Sequence, residues 1–190
     1  MDDIFHQLGR LFTDSPWYDL SWPAVAMIVG TLLGAASAQA ARQLAVVPRT
    51  AHGLVGLLTA PFVHGSFAHL AANLPPFLVL GGLVLRHGEA RFPEIALEIA
   101  LGQGVLLWAL GRRAAHIGMS GVIFGFLGWL LAVAWFTRTV PDLLIAAAVL
   151  VFYGGMLAGL APARDGTSWD GHLFGLLAGA GTAWFQFRGF

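Results

Sequence analysis

Apolar residues run in long blocks separated by charges and turn formers, and a block of roughly 20 such residues has the length to cross a bilayer as a helix. Six blocks fit, at about residues 20–41, 66–85, 93–111, 118–137, 142–161 and 171–187. The second fills the later part of a charge-free interval from Arg49 to Arg86, after a Gly- and Pro-containing approach around Thr59 and Pro61. The third carries Glu94 and Glu98 in its first turns, where carboxylates can sit among headgroups and complement the positive helix end. In the N-terminal segment 1–19, Ile4, Phe5, Leu8, Leu11 and Phe12 fall on one side of a 3.6-residue helix, which predicts an element lying along the membrane interface. No apolar run begins until about Leu20, after Asp2 and Asp3, unlike a cleavable signal peptide, so the first helix is expected to stay in the mature protein. The pattern predicts an all-α membrane protein, one domain over 1–190, with six transmembrane helices joined by short loops.

Composition agrees and removes several functions. Hydrophobic residues make up 57% of the 190 and charged ones 11%, too few charges to cover a water-soluble globule. The formal net charge is zero and the basic residues, all Arg, are scattered, so nucleic acid is not an expected partner. Cysteine is absent, which rules out a disulfide framework and a thiolate metal site. Five Arg fall on each side of the six-span topology, so the loop charges set no orientation.

Ionisable and polar groups inside a membrane are costly, and here they gather at three helix starts. His64, His69 and Asn73 open the second span, Ser120 the fourth and His172 the sixth. Short loops make the even helices run the same way, so these groups can meet on one side of the membrane. His69 and Asn73, four apart, point together, whereas His64 lies about 140° round and reads as a polar cap or loop-packing residue. Ser120 sits in Gly118-Met119-Ser120-Gly121, a match expected by chance only about 0.1 times at this composition. At a helix N-terminus, unsatisfied N–H groups and the positive dipole end suit a developing oxyanion, although a serine there can also be a simple cap. Gly171, Gly175 and Gly179 around His172 face a matching strip of Gly121, Gly125 and Gly128, so two helices can pack closely enough for Ser120 and His172 to share a hydrogen bond. The alternative is a histidine bonded only for structure.

Other hydrolytic chemistries fit less well. No His-Glu-x-x-His spacing supports a metalloprotease, and no metal is expected. Every Asp lies in the N-terminal segment or at a loop end, as with Asp142, Asp165 and Asp170, which leaves an aspartyl mechanism unsupported. Asp170, two residues from His172, reads as a cap for the sixth helix.

The blocks HGSFAHLAANLPP, GMSGVIFGFLGW and WDGHLFGLLAG, in that order, resemble the three signature blocks of the rhomboid family of intramembrane serine proteases. The resemblance runs from about Pro48 to the end. It implies a rhomboid-like bundle in which Ser120 is the nucleophile and His172 the general base of a dyad without a carboxylate. It further implies that His69, Asn73 and the Ser120 N–H form the oxyanion hole, with His64, Gly118, Gly121, Phe124 and Gly175 in supporting roles. The expected activity is serine endopeptidase cleavage of transmembrane substrates in a bilayer, without cofactor. The expected location is a bacterial inner membrane, the active site facing away from the cytoplasm. A catalytically inactive relative that binds client helices and a small transporter or proton channel are the alternatives. Three positions depart from the family pattern: Phe124 replaces a frequent Tyr, the first loop is short and lacks a Trp-Arg pair, and Leu85 stands where a Glu often follows paired glycines, here Gly81 and Gly82.

Overall fold

The computed structural model describes residues 17–87, 91–162 and 168–188 and is built from helices. Residues 1–16, the body of the interfacial segment expected from the sequence, lie outside the described residues. In chain order the helices are α1 (Tyr18–Ala36), α2 (Ala38–Gln43), α3 (Gly56–Thr59), α4 (Phe67–His87), α5 (Phe92–Leu110), α6 (Ser120–Thr137), α7 (Val140–Tyr153) and α8 (Trp169–Arg188). Short 3-10 turns lie at His52–Leu54 and Ala60–Phe62, and a longer one, Gly154–Leu160, extends α7. Among the described residues, five helical stretches combine spanning length with high hydropathy: α1, α4, α5, α6, and α7 with its extension. The sixth predicted span corresponds to α8, which has the length, 20 residues, but carries Asp170, His172 and Gln186 and is not among the five.

Two details differ from the expected boundaries. The first block ends as a spanning helix at Ala36, because Ser37 turns to an extended conformation and its hydroxyl accepts the Ala40 N–H at 3.2 Å, starting α2 afresh. The first loop also has structure of its own. Between α2 and α4 the chain folds into short turns tied to α5 and its following loop: Trp108 Nε1 donates to the Thr50 carbonyl at 2.9 Å, and Val46 and His116 exchange backbone hydrogen bonds at 3.0 and 2.9 Å.

α6 is the centre, with α4, α5, α7 and α8 all packed on it. Its sequence is apolar all round, as an enclosed helix must be, and Val122 to Leu130 are all buried. The tightest pairing is with α8. A Cβ on Gly175 would overlap the Gly121 carbonyl, and one on Gly179 the Gly125 carbonyl, so these glycines set a backbone-to-backbone approach. Gly171, which the sequence placed in the same strip, instead faces Ser168 and Leu107, because it sits in the first turn of α8 before the helices converge. On the other flank, Gly30 and Gly34 let α1 press against the carbonyls of Phe62 and His64.

Candidate active site

The starts of α4, α6 and α8 open on one cavity of about 550 Å³, whose walls include His69, Asn73, Ser120, Phe124 and His172. Ser120 is the first residue of α6, so its own N–H lies among the donors that a helix leaves without an internal partner. The turn before it is held at three points. Gly118 has φ +110°, which favours glycine, and a Cβ there would also meet the His69 ring at 2.9 Å. Its N–H donates to the Ala60 carbonyl at 2.9 Å. The next N–H, of Met119, donates to His64 Nε2 at 3.3 Å.

His64 is therefore a buried tie for the serine turn, the loop-packing alternative of the sequence reading and not a cap. It is fully enclosed. With Nε2 accepting, its Nδ1–H donates to Thr31 Oγ1 at 3.3 Å, and that hydroxyl donates to the Met27 carbonyl at 2.6 Å. Every link needs a neutral ring, and the environment enforces one: burial, then the charge of His69, pushes the His64 pKa down from 6.5 to about 4.

His172 Nε2 lies 3.0 Å from Ser120 Oγ, and Nδ1 lies 3.0 Å from the Gly159 carbonyl. A carbonyl only accepts, so the hydrogen is on Nδ1, and Nε2 presents a lone pair to the serine hydroxyl. Phe124, one turn into α6, stacks on the imidazole with ring centroids 4.3 Å apart and planes 9° apart. Packing on His172 without a hydroxyl is the arrangement its sequence position suggested. Asn73 Nδ2 donates to the His69 carbonyl at 2.8 Å, and its second hydrogen remains for another acceptor. The imidazole rings of His64 and His69 meet edge to face, 4.9 Å between centroids. Gly121 touches the Gln103 side chain as well as α8, and Gly175 lies on the Gly121 backbone.

Asp170 corrects the sequence reading. The N-cap position of α8 belongs to Ser168, whose carbonyl accepts the His172 N–H at 3.0 Å. Asp170 lies within the first turn, is buried, and accepts the backbone N–H of Arg112 at 2.8 Å and its guanidinium at 3.2 Å. It thereby pins the loop before α6 to the start of α8. Gly159, Thr31, Gln103, His116 and Ser168 were not singled out from the sequence. His116 had a readable signal, as a histidine four residues before the serine. Gly159 had none, since its contribution is a backbone carbonyl brought in by the fold.

Comparison with known proteins matches the Rhomboid domain family over residues 51–189, a stretch that includes every residue of the cavity named above. Uncharacterized proteins of Mycobacterium bovis and Mycobacterium tuberculosis are each 39% identical over 146 residues, covering 72% of this chain and 61% of theirs. Rhomboid-like protein 11, chloroplastic, of Arabidopsis thaliana is 28% identical over 142 residues, 67% of this chain and 50% of that one. The chain thus spans about three fifths of the length of its mycobacterial relatives. With the apolar helices spanning a bilayer and the family match covering most of its length, the chain is an integral, multi-pass membrane protein that belongs to the rhomboid family.

Proposed function

We propose that the chain is an intramembrane serine endopeptidase that cleaves transmembrane segments of other proteins, with Ser120 as nucleophile and His172 as general base. The observation that carries this reading is the 3.0 Å contact between Ser120 Oγ and the unprotonated Nε2 of His172, beside a cavity in a membrane-spanning bundle. The Gly159 carbonyl holds the tautomer in which Nε2 can take the serine proton as Oγ attacks a peptide carbonyl. The oxyanion formed then meets the Ser120 N–H and the positive end of α6, with His69 and the second Asn73 hydrogen as further donors. His172 returns its proton to the leaving amine, and water admitted to the cavity repeats the sequence to release the acyl group. Dyad chemistry of this kind draws on protein groups alone. The reading places the cavity on the extracytoplasmic side of a bacterial plasma membrane, where a substrate helix unwinds near the surface and enters from the bilayer.

The test is cleavage of a single-span substrate in liposomes, alongside labelling by a fluorophosphonate. Wild type should cut and label, while Ser120→Ala and His172→Ala should lose about 10³-fold or more in rate. Equal labelling of wild type and Ser120→Ala would remove the serine from the mechanism. A wild type that binds the substrate helix and cuts nothing would make the chain a client-holding member of the family. In cells, Ala115→Cys in this cysteine-free chain should react with an impermeant maleimide from outside; protection there would reverse the orientation.

A further inference from the structure

The loop that ends at Ser120 is held by a second hydrogen-bonded chain that the dyad does not use. His116, buried at 5% exposure, has Nε2 3.0 Å from the Arg112 carbonyl and Nδ1 2.6 Å from Ser168 Oγ. Ser168 Oγ is also 3.3 Å from Asp170 Oδ1, the carboxylate that grips Arg112. The main chain of His116 is bound on both sides to Val46. One residue therefore joins the segment after α2, the loop before α6 and the entrance to α8.

Its position relative to the dyad gives this junction a purpose. Ser120 lies four residues beyond His116, and His172 lies four beyond Ser168, so both bonds link residues 52 apart in sequence. The same two chain segments, joined at one end by Arg112 and Asp170, are pinned by His116–Ser168 and again, four residues on, by Ser120–His172. Both members of the first pair also line the cavity that holds the second.

We propose that His116 and Ser168 form a positioning pair that sets the approach of Ser120 to His172 by locking the loop before α6 to the start of α8. The proposal rests on the protease reading above. A short polar bond fixes separation and direction, where apolar packing would let the loop slide, and a displacement of about 1 Å at a reacting pair costs on the order of 100-fold in rate. Cutting the bond at either end should release the same constraint.

The test compares Ser168→Ala, Ser168→Thr, His116→Phe and the double variant H116F/S168A in liposomes, reading kcat, KM, fluorophosphonate labelling rate and thermal midpoint. Ser168→Ala and His116→Phe should each lower kcat and labelling about tenfold to 100-fold, with KM changed less than about twofold. The double variant should be no worse than the poorer single one, since the two act as a unit. Ser168→Thr, which keeps the hydroxyl, should recover to within about threefold of wild type. If His116→Phe does not fold, the Ser168→Ala and Ser168→Thr pair decides alone. Variants that label and cut like wild type, or losses that add and that Ser168→Thr shares, would overturn the proposal while leaving the protease reading intact. A wild type without Ser120-dependent labelling would instead remove the protease reading, and this proposal with it.

Discussion

α6 and the arm formed by α7 and its 3-10 extension are neighbours in sequence and opposite in construction. In the most apolar 18-residue window of each, 67% of α6 is buried within the protein but only 6% of the arm. The reason is in their sequences. α6 offers Gly121, Gly125 and Gly128 to partners on more than one side, so α8 approaches to backbone contact and α5 fills in with Gln103 and Ile99. The arm turns Leu143, Leu144, Val151 and Phe152 outward and buries little beyond Asp142 and Val149. Lipid solvates such a surface as well as protein does, so nothing drives the arm inward except specific packing. Both nevertheless serve one site: α6 supplies Ser120 and the arm supplies the Gly159 carbonyl that orients His172. Ser120 thus stands on the most enclosed of the five apolar helices, and His172 takes its orientation from the least enclosed one.

The largest effect should come from breaking the enclosed side. Gly175→Leu puts a side chain where the Gly121 backbone already is, and no rotamer avoids it. The expected cost is about 3 kcal/mol or more, enough to lower the thermal midpoint in detergent by roughly 5 to 10 °C or to prevent folding, with cleavage lost. A Gly175→Leu protein as stable and active as wild type would mean that α6 and α8 are not in the close contact described.

A smaller effect should come from the buried tie at the start of α6. His64 has a pKa of about 4 in the folded protein against 6.5 for a free imidazole, so the unfolded chain takes up its proton first. The neutral-ring contribution is complete above about pH 6.5 and is lost as the pH falls through about 4. Between pH 7 and pH 4.5 the wild type should therefore lose about 5 °C more in thermal midpoint than His64→Gln, which can make similar hydrogen bonds and does not titrate. Parallel pH curves for the two proteins would show that His64 is not held neutral by its surroundings.

What was legible beforehand divides along the same lines. The spans of α4, α5 and α6 could be read within a residue or two because apolar length reports directly on the bilayer, and Ser120 and His172 stood out because polar residues at membrane depth are rare. The break at Ser37 was hidden, since apolar length continues across it and only a local cap decides where the helix restarts. Asp170 was misread as a cap because sequence spacing reports neighbours on a helix, whereas its partner Arg112 comes from another loop, 58 residues away. Thr31 and Gln103 escaped for the same reason, as each acts through contacts that only the closed bundle creates, whereas His116 could have been noticed by its place four residues before Ser120. The α7 arm was seen as a span, but nothing in its composition tells that a backbone carbonyl near its end reaches His172.

The smallest effect sharpens the comparison most. A Cβ on Gly155 meets nothing within 4 Å, in contrast to Gly175, although both glycines lie in helical sequence rich in apolar residues. Gly155→Ala should therefore leave the thermal midpoint within about 2 °C of wild type, with any gain coming from the lower entropy of the unfolded chain. Fluorophosphonate labelling should stay within about twofold, because the probe is small and the Gly159 carbonyl keeps its place. Cleavage of a single-span substrate should likewise stay within about twofold of wild type, since neither the Ser120–His172 contact nor the Gly159 carbonyl is touched. A drop of about 5 °C or more in Gly155→Ala would show the arm to be packed as α6 is, and the contrast between the two helices would no longer explain why one site needs both.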